Sequence, residues 1–301
     1  MTRLDNLMSQ VNAGKTVLID GGTGTECERR GVPVLDGAWS SGGALSHPEI
    51  VREVHRDYIV AGAQVIIANT FSTHRHALEA AGVADDFAQY NRSAAELATQ
   101  ARAAAGNDSV VVAAGISNWT FTGGHPELDV LCRNTAEQAA ALASGGAELL
   151  ILEMMVDIDR MRATLDGALT SGLPIWVGFT CGTQEGQMSP DDGVPRLRDG
   201  EPLADAIAAL AEYDIDTILI MHTDVRLIDA CLDVALQAWS GTVGVYAHSG
   251  KFMNGSWVFD GVISAEEYLS CAGRWVERGV PLIGGCCGIG PEHIKALAEL
   301  A

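Results

Sequence analysis

The sequence predicts a single-domain (β/α)8 barrel spanning residues 1–301, on three observations. Short apolar runs rich in β-branched residues recur along the chain, each followed by a longer segment with helical periodicity, which is the signature of repeated βα units. Eight such runs can be counted, the number that closes a parallel barrel. The longest irregular stretches, around 21–46, 181–200 and 249–263, each follow a run, and in a barrel that places them on the C-terminal face, where active sites are built.

Taken in order, the strand candidates are Thr16–Asp20, Val65–Phe71, Val110–Ile116, Leu149–Met154, Ile175–Thr180, Thr217–His222, Val243–His248 and Leu282–Gly285. They read as continuous apolar runs, as strands buried on both faces must. Between them lie HPEIVREVHRDYIVAG, DDFAQYNRSAAELATQARAAAG, CRNTAEQAAALASGG, DIDRMRATLDGAL, PLADAIAALAEY, DVRLIDACLDVALQAW and AEEYLSCAGRWVERG, with PEHIKALAEL closing the chain. Several of these begin at Asp or Pro and end at Gly, the residues that start and stop helices. No linker or low-complexity tract divides the chain.

Composition narrows the function classes. A formal charge of −20 without a Lys/Arg cluster repels phosphate backbones and anionic lipid, so nucleic acid is not an expected partner. No apolar run approaches the length of a membrane span, and the first residues, MTRLDNLMSQVNAGK, lack a signal peptide's apolar stretch, so a cytoplasmic location is expected. Seven cysteines at irregular spacing, two of them adjacent, do not form a secreted disulfide framework and fit reduced thiols, some of them on a metal. Monomer and homodimer are equally compatible with the sequence.

The strongest local signal is GGCCG, residues 284–288, where the eighth strand runs out onto the catalytic face. Adjacent cysteines in a strand point apart, but flanking glycines allow dihedrals that turn both sulfurs toward one centre, as thiolate ligation of zinc requires. The alternative is a tight turn with two inert buried thiols. A third ligand is needed, and His222, at the end of the sixth run, is the first candidate, with Cys181 past the fifth run behind it. Asp20 and Glu153 are carboxylates at strand ends, and an acid inside LLILEMM demands a partner such as a substrate ammonium. The loop DGGTGTE, residues 20–26, matches neither nucleotide fingerprint and offers backbone donors for a carboxylate. Trp39, Phe71 and Trp119 follow the first three strands and can line a pocket for a sulfonium or quaternary ammonium group.

Together, LIDGGTGTECERRG, HPEIVREVHRDYIVAGAQVIIANTF, LLILEM and IGGCCGIGPEHIKAL resemble the homocysteine S-methyltransferase family from about residue 17 to the C-terminus. The resemblance implies a zinc-binding barrel that holds homocysteine as a thiolate and methylates it to methionine. Carried over, Cys286 and Cys287 match the paired cysteine ligands, Asp20 the rim aspartate, and Glu153 the glutamate that holds the homocysteine amino group. Two departures stand out. Met221-His222 replaces the family's Asn-Cys, whose cysteine is the first zinc ligand, and Tyr246-Ala-His-Ser-Gly resembles its Tyr-Pro-Asn-Ser/Ala-Gly segment with both central residues changed.

The expected metal set is therefore His222, Cys286 and Cys287, and the substrate-binding set Asp20, Gly21, Gly22, Thr23, Glu153, Asn69, Phe71 and Trp39. The donor carries its methyl on a cationic centre: S-methylmethionine, S-adenosylmethionine or betaine. Two rivals remain open. A zinc hydrolase would need several histidines on strand ends, where only His222 and His248 qualify, and a non-catalytic homocysteine- or small-thiol-binding protein would bind without turnover; within the methyltransferase reading, a different thiol acceptor is the alternative.

Overall fold

In the computed structural model, which describes residues 1–120, 122–183, 187–188, 192–253, 256–258 and 260–301, the eight runs form one parallel barrel. In chain order the strands are β1 (Val17–Leu18), β2 (Val65–Ala68), β3 (Val111–Ile116), β4 (Leu149–Met155), β5 (Ile175–Phe179), β6 (Thr217–Asp224), β7 (Thr242–His248), β8 (Lys251–Met253), β9 (Ser256–Val258) and β10 (Leu282–Gly285). The barrel runs β1-β10-β7-β6-β5-β4-β3-β2, and a parallel bridge between Ile19 and Val65 joins its ends. β8 and β9 form a separate antiparallel hairpin in the irregular stretch after β7.

The period-2 alternation of the strands sorts the core into two layers. Val17, Ile19, Val65, Ile67, Val111, Ala113, Leu149, Ile151, Trp176, Leu219 and Leu282 fill the lumen, while Leu18, Ile66, Val112, Leu150, Val177, Ile218, Val245 and Ile283 face the helices. The long helices lie where the sequence pattern places them, including Pro48–Ala61, Phe87–Ala105, Leu128–Ser144, Ile158–Leu169 and Ala265–Glu277. Their ends follow from local chemistry. Pro48 opens the first and left-handed Gly62 closes it, Asp157 accepts from the Arg160 amide, and Ser264 with Glu267 forms a capping box.

Several boundaries differ from the sequence reading. The first 15 residues carry a capped helix, Arg3–Asn12, whose Leu4, Leu7 and Val11 pack into the lumen layer. Arg3 binds the Asp108 carbonyl and Glu148, both just before strands β3 and β4, so this helix covers the N-terminal mouth of the barrel. Strand β2 stops at Ala68 instead of Phe71, because the Asn69 side chain turns aside to exchange hydrogen bonds with Ser40 and Thr70 bonds the Gly115 carbonyl. The rim run DGGTGTE is the start of a short helix, Thr23–Arg29, with Gly22 as its N-cap. Strand β6 does not end at His222 but continues to Asp224 through a register shift between Met221 and Asp224.

Candidate metal centre and active-site cavity

At the C-terminal mouth the strand ends surround a cavity of about 950 Å³, including its opening to solvent. Its base is built by β6 and by the turn after β10. Gly284 and Gly285 fit there because a side chain at either would strike Ile19 or Ile289, within 2.7 Å and 2.1 Å respectively. Gly288, at φ +83°, lets the chain turn back sharply against the Ser249 carbonyl, and the two sulfurs emerge on one side, 3.9 Å apart. The opening motif is packed against the same turn. Gly22 donates its amide to the Ile289 carbonyl, and a Cβ there would lie 2.7 Å from the Cys286 carbonyl oxygen. Residues at opposite ends of the sequence thus shape one loop, and the Gly22 amide, read from sequence as a donor for substrate, is already committed.

His222 comes from the irregular part of β6. Its φ is +42°, a conformation that costs a non-glycine residue on the order of 1–3 kcal/mol and that here swings the imidazole over the cysteines. Nδ1 of His222 lies 3.4 Å from Sγ of Cys286, and the ligand atoms of His222, Cys286 and Cys287 all fall within 4.8 Å of one another. For tetrahedral zinc with bonds of about 2.3 Å to sulfur and about 2.0 Å to nitrogen, S···S should be about 3.8 Å and N···S about 3.5 Å. The observed 3.9 Å and 3.4 Å are close to those spacings, so His222, Cys286 and Cys287 fit the donor set of such a cation, and all three line the cavity. Burial, with His248 and Arg198 nearby, holds the His222 pKa well below the usual range, leaving the neutral imidazole a metal needs. Burial and the neighbouring Cys286 push the Cys287 thiol well above its usual range in the absence of a cation, so metal binding must displace a proton there.

These features carry a family assignment. The family model for homocysteine S-methyltransferases matches residues 17–301.

The chain belongs to the homocysteine S-methyltransferase family.

Among similar members, the homocysteine S-methyltransferase of Escherichia coli K12 is 30% identical, over 99% of each chain, and homocysteine S-methyltransferase 4 of Zea mays is 27% identical, over 95% of this chain and 90% of its own. A selenocysteine Se-methyltransferase from Brassica oleracea is 25% identical, over 94% of this chain and 88% of its own. The solved homocysteine methyltransferase MmuM from Escherichia coli, in a form described as metallated, superposes with a TM-score of 0.80 at 26% identity, over the full length of both chains.

Within this family fold, the departures of the sixth and seventh strands prove to be neighbours. The rings of His222 and His248 lie 4.7 Å apart, and His248 donates a hydrogen bond to the His222 backbone carbonyl. Cys181, the competing third ligand, is excluded by geometry. It is buried in the outer layer against Cys231, whose hydrogen bond together with burial raises its pKa, and it is not part of the ligand cluster.

The remaining candidates divide into those that line the cavity and one that does not. Glu153 lines it, buried, with Oε1 accepting from the Tyr246 hydroxyl at 3.2 Å, and burial raises its pKa to about 7. It fits only because residue 115 is glycine, since a Cβ there would sit 2.0 Å from Oε2. Gly21, Gly22, Thr23, Asn69, Phe71 and Trp39 also line the cavity, and Trp39 and Phe71 meet edge to face at 6.4 Å. Asp20 is different. It is fully buried behind the lining, where Oδ2 accepts from the Ile67 amide at 2.8 Å and burial, with Glu153 nearby, pushes its pKa well up. Sequence reasoning missed Arg198 and Met154 as lining residues. Arg198 sits in a long loop, and Met154 reaches the lumen only through a local φ of +59° at the irregularity in β4.

Proposed function

We propose that this protein transfers a methyl group from a cationic donor to the thiol of homocysteine, giving methionine, with a zinc ion held by His222, Cys286 and Cys287. The observation that carries this reading is the convergence of those three ligand atoms at the base of a cavity in a chain of this family. Zinc, when bound, lowers the pKa of the homocysteine thiol so that it reacts as thiolate.

This chain's own residues supply the rest. Glu153, steadied by Tyr246, offers a carboxylate to the homocysteine ammonium, and that ion pair compensates its own burial. Asp20 supports the rim from behind by fastening β1 to the Ile67 amide. Trp39 and Phe71 form an aromatic corner suited to a methyl on a positive centre. The thiolate sulfur attacks the methyl carbon in line, the donor's carbon–sulfur or carbon–nitrogen bond breaks, and its electron pair leaves with the neutral donor product. Opposite charges cancel in that transition state, so exclusion of water and alignment of the two partners supply most of the acceleration. The expected donors are S-methylmethionine, S-adenosylmethionine and betaine.

The test is metal content of anaerobically purified protein together with methionine formation from homocysteine and each donor. About one zinc per chain and turnover with one donor are expected in the wild type. Both should be lost in His222→Ala, with turnover down by at least about 100-fold. Metal-free wild-type protein that makes no methionine from any donor would overturn the reading. The likeness to a selenocysteine Se-methyltransferase makes selenocysteine the informative second acceptor.

A further inference from the structure

The cavity lining holds one formal anion and one permanent cation among the described residues, Glu153 and Arg198. The cation is unexpected in a chain with 39 acidic and 19 basic residues, at a site whose proposed co-substrate is itself positively charged. A bare sulfonium or ammonium ion entering this cavity would be repelled by a guanidinium-bearing residue in its lining. Arg198 is also held in place. Its backbone amide bonds the Thr180 carbonyl at the end of β5, its guanidinium lies 5.7 Å over the Trp119 ring, and the adjoining Leu197 is bridged to Cys181. With Nε donating to the Gly182 carbonyl at 3.4 Å and the group set over an aromatic ring at the cavity wall, this guanidinium is positioned as one that recognises a planar anion by charge-assisted hydrogen bonds.

We propose that Arg198 is the carboxylate anchor of this cavity, so that its amino-acid ligand is read as a zwitterion, ammonium toward Glu153 and carboxylate toward Arg198. The inference rests on the proposed methyl transfer and deepens it, because it restricts the substrates to carboxylate-bearing molecules. Both homocysteine and an amino-acid sulfonium donor carry that group, and the experiment separates them.

Binding is measured by calorimetry on the zinc-loaded wild-type protein, without turnover, for four compounds. These are homocysteine, its decarboxylated counterpart 3-aminopropanethiol, S-methylmethionine and its decarboxylated counterpart. For the ligand that Arg198 anchors, loss of the carboxylate weakens binding by about 10- to 100-fold, the range expected for a charged hydrogen-bonded pair. Arg198→Met weakens the parent compound by a similar factor and leaves the decarboxylated one unchanged, while Arg198→Lys restores part of the loss. Whether the homocysteine pair or the sulfonium pair shows this pattern identifies which carboxylate is held. Equal wild-type binding of acid and decarboxylated forms in both pairs overturns the proposal without touching the methyltransferase reading, and needs no variant to fold. Failure of both parent compounds to bind overturns both.

Discussion

Among the described residues, the three non-glycine residues with positive φ, Trp39, Met154 and His222, all line the cavity. Strain concentrated at one mouth of the barrel is held by the packed strands beneath it, and at His222 it delivers an imidazole that a regular strand would have pointed elsewhere. Glu153 shows the same economy in electrostatic form. Its pKa of about 7 in the ligand-free protein lies above the ordinary carboxyl value of 4.5, so the folded chain holds a proton that the unfolded chain gives up. The stability this contributes is present below about pH 4.5 and is lost as pH rises through 7, by about 3 kcal/mol for this group. Glu153→Gln should remove that slope, making the ligand-free variant more stable than wild type at pH 8 and equal to it at pH 4, as urea denaturation at the two values will show. The same variant should bind homocysteine at least about 10-fold more weakly at pH 8, where the wild-type carboxylate is charged.

At the scale of elements, the turn after β10 and the rim after β1 act as one unit. Gly21 and Gly22 of DGGTGTE are close-packing positions against Ile289 and Cys286, and the Gly22 amide is spent on the Ile289 carbonyl, while Gly24 makes room for Trp39. The turn's own geometry is equally tight, since a methyl at Gly285 would lie 2.1 Å from Ile289 Cγ2. Gly285→Ala is therefore expected to cost about 1–3 kcal/mol of stability and to displace the two sulfurs. Metal affinity should fall by about 10-fold or more, read by competition with a chromophoric chelator. An unchanged affinity would show that the turn does not set the ligand geometry. The bulge in β6 belongs to the same scale, because continuing the strand past His222 to Asp224 pairs Asp224 with His248 and brings the two histidines together.

Across the whole molecule, the lumen is filled from one end and functional at the other. The helix Arg3–Asn12 presses Leu4, Leu7 and Val11 into the N-terminal mouth, while the C-terminal mouth is left open as the cavity. This division lets stability be tested apart from chemistry. Leu7 is 2% exposed, so Leu7→Ala should cost about 2–5 kcal/mol in a denaturation experiment. Metal content and turnover at 25 °C should be unchanged, and a parallel loss of metal would mean that the two ends are coupled.

Eight βα units, the paired cysteines and Glu153 were legible in the chain because each depends on local pattern: periodicity, adjacency, an acid in an apolar run; Trp39 and Phe71 were legible singly, and their edge-to-face contact only in the fold. His222 was legible as a residue type at a strand end, but not the bulge and positive φ that aim it, since those arise from how β6 pairs with β7. Asp20 and Arg198 exchanged apparent importance for the cavity lining. An aspartate at a strand end reads as a rim ligand until the neighbouring strand claims its oxygen, and an arginine in a loop reads as surface until tertiary structure sets it in the cavity lining. Local pattern in the chain accounts for the eight barrel strands and the long helices between them, and for which residue types stand at the strand ends. Tertiary structure decided which side chains share a cavity, because barrel closure joins residues hundreds of positions apart, and no local periodicity records that distance.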